Sequence, residues 1–343
     1  MPEPQTLTRP LLEATLAPGP IAVLGAGAWG TALALLAASK GIPVYLWARR
    51  AEQVQAMQEV RQNLEYLPGA PFPPTLYPTA DAEEALCKAR FAVVAVPSKA
   101  IRQTLETLPK ARAYVSVTKG LHFSDHLLLR MSQVIEEATG VARLAVLSGP
   151  NLAEEIARFL PAAAVVASPE PALAQEVQQA FSGPSFRVYT SSDVVGVELG
   201  GALKNVMALA AGMVDGLRLG DNAKAALITR GLREIIRFGL AQGAQEATFM
   251  GLSGLGDLIA TAHSPLSRNR SAGERLVQGE TLAGLLAQKT VVEGIYTAKA
   301  LHAWDQETGA DLPITEAVYR VIYEGADPLR ELSRLMGREA KAE

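Results

Sequence analysis

The sequence predicts an α/β fold: a doubly wound, mostly parallel sheet followed by an all-helical C-terminal domain. Three observations carry this. Up to about residue 190, short apolar, β-branched runs alternate with longer helical stretches. The short runs are continuously apolar rather than alternating, as strands read when both faces of a parallel sheet are covered. Beyond residue 193 strand signals nearly vanish, and long runs rich in alanine, leucine and glycine replace them, which is how helices that pack closely on one another read.

In chain order, residues 1–19 read as an N-terminal extension ending at Pro18-Gly19-Pro20; without a basic start or a long apolar core, it is not expected to be a signal peptide. Strands are expected at 21–24 (IAVL), 44–48 (VYLWA), 91–96 (FAVVAV), 113–117 (AYVSV), 144–148 (LAVLS), 162–168 (AAAVVAS) and 186–190 (FRVYT). Helices are expected between them at 30–39, 52–62, 99–106, 124–138 and 171–181. The long stretches 193–217 and 222–243 follow, then helices at 271–287, 293–308, 313–323 and 327–337. This divides the chain into a sheet domain over 20–193 and a helical domain over 194–343.

Composition narrows the function. Of 343 residues, 49% are hydrophobic and 20% charged, enough for a sizeable core. A net charge of −3 supplies no basic footprint for nucleic acid. The single cysteine, Cys87, excludes an internal disulfide and suits a reducing, cytoplasmic setting. His122 and His126 stand four apart, but no partner follows at zinc-site spacing, so no metal is expected. No apolar run of about 18 residues lacks a charge, so no membrane span is expected.

The first motif is GAGAWG, residues 25–30, directly after the first strand and at the start of the first helix. Gly25 permits the tight turn, Gly27 lets the backbone approach a pyrophosphate, and Gly30 lets helix and strand pack closely. In this strand–turn–helix context the pattern points to a Rossmann-type dinucleotide site. The second strand ends in Arg49-Arg50, where an NAD-selective site usually has an acid on the ribose 2′-hydroxyl. An arginine there can pair with a 2′-phosphate. NADP is therefore expected to be accepted beside NAD, with the leaning toward NADP; a solvated charge pair is the other reading.

Lys119, in SVTKG, ends a strand at the edge where open α/β sheets bind ligands; the alternative is a surface lysine in a turn. Lys204 lies among small and apolar neighbours in ELGGALKNVMALAAG. In a cleft, desolvation would lower its pKa into the range of a general acid/base; at a helix edge it would only snorkel. Asp257, in GLSGLGDLIAT, could orient a lysine or substrate hydroxyl, or cap a helix. Ser267, Arg268, Asn269 and Arg270 open another helix, as an anion pocket or as a solvated start.

These segments together resemble the bacterial NAD(P)-dependent sn-glycerol-3-phosphate dehydrogenases. The motifs, in order from about residue 20 to 330, are GAGAWGTALA, FAVVAVPS, SVTKG, LSGPNLAEEI, VELGGALKNVMALAAG, GLSGLGDLIAT, SRNR and VVEGIYTAKA. The resemblance implies interconversion of sn-glycerol 3-phosphate and dihydroxyacetone phosphate, with NADPH or NADH as hydride carrier, in the service of phospholipid synthesis. It implies cofactor contacts at Gly25, Gly27, Ala28, Trp29, Gly30, Arg49, Arg50, Lys119, Ala153, Arg268, Val291 and Glu293. Substrate contacts are implied at Lys119, Gly149, Asn151, Lys204, Asp257, Ser267, Arg268 and Asn269, with Lys204 as proton donor and acceptor and Lys119 and Asp257 beside it in the chemistry. Asn151 and Ala28 depart from the pattern, standing where many relatives carry Ser or Thr and Ser. A homodimer through the helical domain is expected from its apolar content and from the resemblance. Two other readings stay open: a two-domain hydroxy-acid dehydrogenase of the ketopantoate reductase kind, and a non-catalytic dinucleotide sensor.

Overall fold

The computed structural model describes residues 19–288 and 291–338; all but Gly19 of the expected N-terminal extension lies outside them. Eight strands form the main sheet: β1 (Ile21–Leu24), β2 (Val44–Trp47), β3 (Leu76–Thr79), β4 (Ala92–Val94), β5 (Tyr114–Ser116), β6 (Leu144–Ser148), β7 (Ala162–Ala167) and β8 (Phe186–Ser191). Their order is β8-β7-β6-β5-β4-β1-β2-β3. Every neighbouring pair is parallel except β6 and β7. The order reverses between β1 and β4, which opens a crevice at their C-terminal ends.

Both faces of the sheet are buried, as the continuous apolar runs require. One face packs on helix α1 (Ala28–Ala38) and the helix Pro171–Phe181. The other packs on the short helices Ala82–Leu86 and Ile101–Glu106 and on Met131–Thr139. Strand β3 was not expected from its sequence, LYPT, because Pro78 cannot donate to a ladder; β3 pairs only with β2 at the sheet edge, where a proline is tolerated.

A second departure lies at 121–139. The expected helix 124–138 is replaced by a hairpin, Leu121–Ser124 with Leu127–Arg130, and the helix starts only at Met131. Asp125 and His126 have φ of 50° and 64°, the pair of left-handed residues that a two-residue hairpin turn demands. The expected helix 271–287 is likewise two helices, Arg268–Val277 and Leu282–Leu286. Gly279 (φ +100°) breaks the run, and Thr281 caps the second helix by accepting from Gly284 N.

The helical part is built around α2 (Val194–Gly216), buried from Gly196 to Met213. Against it pack α3 (Gly220–Ala241), α4 (Asp257–His263), α5 (Arg268–Val277), α6 (Glu293–Thr308) and α7 (Pro313–Tyr323). Glycines set how closely α2 and α5 approach: a Cβ on Gly212 would collide with the Arg270 carbonyl, and one on Gly273 with that of Leu209. Among the described residues, α2 alone is long and apolar enough to cross a membrane; here it is buried inside the protein.

Buried carboxylates fasten these layers. Glu198, on α2, accepts from Ser132 N (2.8 Å), Ser132 Oγ and Arg130 Nε (3.0 Å), and so caps the helix Met131–Thr139 from across the fold. Glu234, on α3, accepts from Ile314 N, Thr315 N and Thr315 Oγ at the start of α7. Burial pushes both carboxyls above the usual range, against the pull of these donors.

Candidate active site

The glycine turn follows β1 at the reversal of strand order. Gly25 has φ of +113°, open to glycine at little cost, and a Cβ there would stand 2.8 Å from the Ala95 carbonyl oxygen. A Cβ on Gly30 would collide with the Gly25 carbonyl, so strand and helix meet only because Gly30 has none. At Gly27 a Cβ would meet nothing within 4 Å. Gly27 is also the N-cap of α1 and lends no side-chain cap. The free N–H groups and positive dipole end of α1 therefore face open space, a cradle that fits a pyrophosphate.

Two side chains that local sequence gave no reason to single out hold this turn. Asn63 Nδ2 and Gln53 Nε2 each donate to Ala26 O at 2.9 Å, and Asn63 Nδ2 also reaches Thr31 Oγ1 at 2.8 Å. Ala28 and Trp29 are half-buried beside the turn. The Trp29 Nε1 is buried without a partner among the described residues, a donor that suits a bound cofactor. Ala153 lies half-buried at the start of the helix Ala153–Ala157.

Arg49 and Arg50 follow β2, both exposed, but their situations differ. Arg50 Nη2 pairs with Glu65 Oε2 at 2.5 Å and donates to Gln53 Oε1 at 3.2 Å. Arg49 makes no hydrogen bond or ion pair among the described residues. The two arginines thus differ: among the described residues Arg50 is held by Glu65 and Gln53, while Arg49 has no such contact.

A path of contacts runs from the turn to a cluster of charges. Ala95 and Val96, against Gly25, continue β4; Val96 O accepts from Thr118 Oγ1 at 2.8 Å, and Lys119 follows. Lys119 Nζ pairs with Asp257 Oδ2 at 2.5 Å and donates to Gly149 O at 3.0 Å. Lys204 Nζ pairs with the other oxygen, Asp257 Oδ1, at 2.9 Å and donates to Thr261 Oγ1 at 2.5 Å. Thr261 Oγ1 in turn donates to Asp257 Oδ1 at 3.1 Å. Asp257 is 1% exposed, Lys204 7% and Lys119 18%. Asp257 is thus no helix cap: it is the first residue of α4, after Gly256 at the N-cap position, and its carboxylate bridges two lysines from separate parts of the chain.

The electrostatics follow. Burial lowers Lys204 to about 8; Asp257 opposes this, while Lys119 and Arg268 add to it. Burial disfavours the Asp257 carboxylate, yet the Lys119 and Lys204 ammoniums together hold it below the usual range. The result is a buried base poised near neutral pH beside a fixed anion.

Across the cleft, Glu293 opens α6 and accepts from Ser98 N at 3.1 Å and from Ser98 Oγ. Burial pushes its carboxyl up despite those donors. Gly120 permits the approach, since a Cβ there would lie 2.9 Å from Ser98 Cβ and 3.4 Å from Glu293 Oε2. Val291 is half-buried just ahead of α6.

The SRNR motif divides its work. Ser267 Oγ caps α5, accepting from Arg270 N at 3.2 Å. Arg270 is spent on Asp215 at 2.6 Å. Asn269 links α2 to α6, donating to Asn205 Oδ1 and accepting from Gly294 N, both at 2.9 Å. Arg268 makes no hydrogen bond or ion pair among the described residues, is exposed, and still bears electrostatically on Lys204 and Glu293. It is the cation left over for an anionic ligand. Gly149 (φ +154°) lies where a Cβ would press the backbone of Ala163 and Ala164. Asn151 Nδ2 donates to Ala163 O at 3.0 Å, leaving its Oδ1 buried without a partner among the described residues.

Thr261 and Ser98 were not singled out from the sequence. Thr261 had a readable signal, four residues after Asp257 on one helix face; Ser98 had only its place after a strand.

Comparison with known proteins agrees with this geometry. Residues 20–174 match the model of the NAD-dependent glycerol-3-phosphate dehydrogenase N-terminus, and residues 193–333 that of its C-terminus. A glycerol-3-phosphate dehydrogenase (NAD(P)+) of Thermus thermophilus is 61% identical over 94% of this chain and 99% of its own. One from Deinococcus radiodurans is 54% identical over 94% and 96%. The crystal structure of glycerol-3-phosphate dehydrogenase from Coxiella burnetii superposes with a TM-score of 0.87 at 38% identity, over 93% of this chain and 99% of that one. Sheet, cradle, lysine-bridged aspartate and sequence kinship agree: the chain belongs to the NAD-dependent glycerol-3-phosphate dehydrogenase family.

Proposed function

We propose that the protein interconverts dihydroxyacetone phosphate and sn-glycerol 3-phosphate, using NADPH or NADH. One observation carries the reading: a buried Lys204 with a pKa of about 8 shares Asp257 with Lys119, while Arg268 stands unpaired beside them. When bound, the nicotinamide supplies the hydride. The glycine turn and the N-terminus of α1 hold the pyrophosphate, and Ser98, Glu293 and Val291 form the nicotinamide side.

In the reducing direction Lys204 gives its proton to the oxygen developing on the former ketone carbon, and in the oxidising direction it takes that proton back. Asp257 and Thr261 occupy two of its hydrogen-bonding directions, which aims the third at the substrate. Lys119 adds positive potential where negative charge develops. Arg268 anchors the substrate phosphate, with Asn269, Asn151 and the Gly149 backbone shaping the pocket around the small molecule. The division at residue 193, a homodimer through the helical part and a cytoplasmic setting belong to the same proposal.

The test is the absorbance of reduced nicotinamide after adding dihydroxyacetone phosphate to purified protein, with NADPH and NADH in turn. Rapid oxidation is expected. Silence with both, in folded protein shown to bind them, would overturn the reading. Turnover of a hydroxy acid's keto form instead would favour the ketopantoate-type alternative.

A further inference from the structure

We propose that Glu65 sets the balance between NADPH and NADH by competing with the cofactor's 2′-phosphate for Arg50; this rests on the dinucleotide reading above. No acid ends β2, where a ribose 2′-hydroxyl is usually bound. Glu65 supplies a carboxylate from elsewhere. It lies between the strands of the hairpin Gln62–Asn63 and Leu67–Pro71, and reaches Arg50 at 2.5 Å. The same hairpin is pinned to the glycine turn, because Asn63 donates to Ala26 O. Gln53 bridges the two, accepting from Arg50 and donating to Ala26 O. The Arg50–Glu65 pair is therefore registered to the cradle.

Its energetics suit a selector. Both side chains are partly open to water, 46% for Arg50 and 27% for Glu65. Such pairs are weak, worth a factor of about two to five in an equilibrium. A 2′-phosphate can displace Glu65 from Arg50, but must give up that factor to do so. A cofactor with a plain 2′-hydroxyl leaves the pair intact and loses nothing. Arg49, unengaged, favours the phosphate; Glu65, through Arg50, moderates that preference so that both cofactors are used.

Calorimetric titration of the full chain with 2′,5′-ADP and with 5′-AMP tests this without turnover. Glu65→Gln should tighten 2′,5′-ADP about two- to fivefold and leave 5′-AMP unchanged. The ratio of kcat/KM for NADPH over NADH should rise by the same factor. In an Arg50→Gln background, Glu65→Gln should shift neither ratio. Glu65→Asp, which draws the carboxylate back while keeping its charge, should move the ratio the same way by less, and serves if the glutamine variant fails to fold. An unchanged ratio, a parallel shift for both nucleotides, or an effect that persists without Arg50 would overturn the proposal while leaving the dinucleotide reading intact. Wild-type protein that binds neither nucleotide nor either cofactor would overturn both.

Discussion

The glycine turn and the lysine cluster are joined by a path of contacts but are made of different material. The turn is backbone: an open face at Gly27, a left-handed Gly25 and a contact at Gly30 that admits no Cβ. The cluster is side chains: Lys119 from the sheet, Lys204 from α2, and Asp257 and Thr261 from α4. A site made of backbone is specified within six consecutive residues. One made of side chains needs the whole fold to bring three segments together. The first should fail by shape, the second by charge and protonation.

The largest effect separates the two. Lys204→Ala should lower kcat about a thousandfold, while dinucleotide affinity by calorimetry stays near wild type. Asp257 keeps Lys119 as partner, so the fold should survive. A comparable loss of cofactor binding would show that the two sites are one unit.

A minimal pair sharpens the backbone half. Gly30→Ala should destabilise the protein by about 2–3 kcal/mol in thermal or urea unfolding, because its Cβ meets the Gly25 carbonyl. Gly27→Ala adds the same methyl into open space. It should change stability by less than about 0.5 kcal/mol, yet weaken NADP and NAD binding, since the methyl takes the pyrophosphate's place.

Arg268→Ala should raise KM for dihydroxyacetone phosphate about 10- to 100-fold, with a smaller change in kcat. An unchanged KM would remove the phosphate anchor from the account.

The last effect is graded by pH. Burial lowers the Lys204 pKa to about 8, so its ammonium form persists below that pH and fades above it. Reduction, which needs the proton in place, should decline about tenfold per unit above pH 8. Oxidation, which needs the free amine, should rise toward pH 8 and then level. Profiles with no break near 8 would count against Lys204 as the group that exchanges the proton.

The same contrast explains what could be read ahead of the structure. Seven of the eight sheet strands, the glycine turn and the helices 171–181, 293–308 and 313–323 are written in local pattern, and local pattern is enough for them. The strand LYPT was hidden by its proline, and the hairpin after Gly120 by a turn of Asp125 and His126 without glycine. At the late start of the helix at Met131, Gln133 caps locally, but the second acceptor, Glu198, lies sixty-six residues on from Ser132, which no local reading supplies. Lys119, Lys204 and Asp257 were readable as unusual residues in apolar or glycine-rich surroundings. Their sharing of one carboxylate was not, and neither was the capture of Arg50 by Glu65.

The helix α2 has a consequence before folding is complete. Its 23 residues are long and apolar enough to partition into lipid, and a nascent chain offers that segment unpacked. Lys204 and Asn205 stand at its middle, where an ionised lysine costs about 3 kcal/mol in the centre of a bilayer. The ammonium proposed to exchange a proton with the substrate thus also weighs against misinsertion of the helix that carries it. Replacing it with leucine would remove both the chemistry and that penalty.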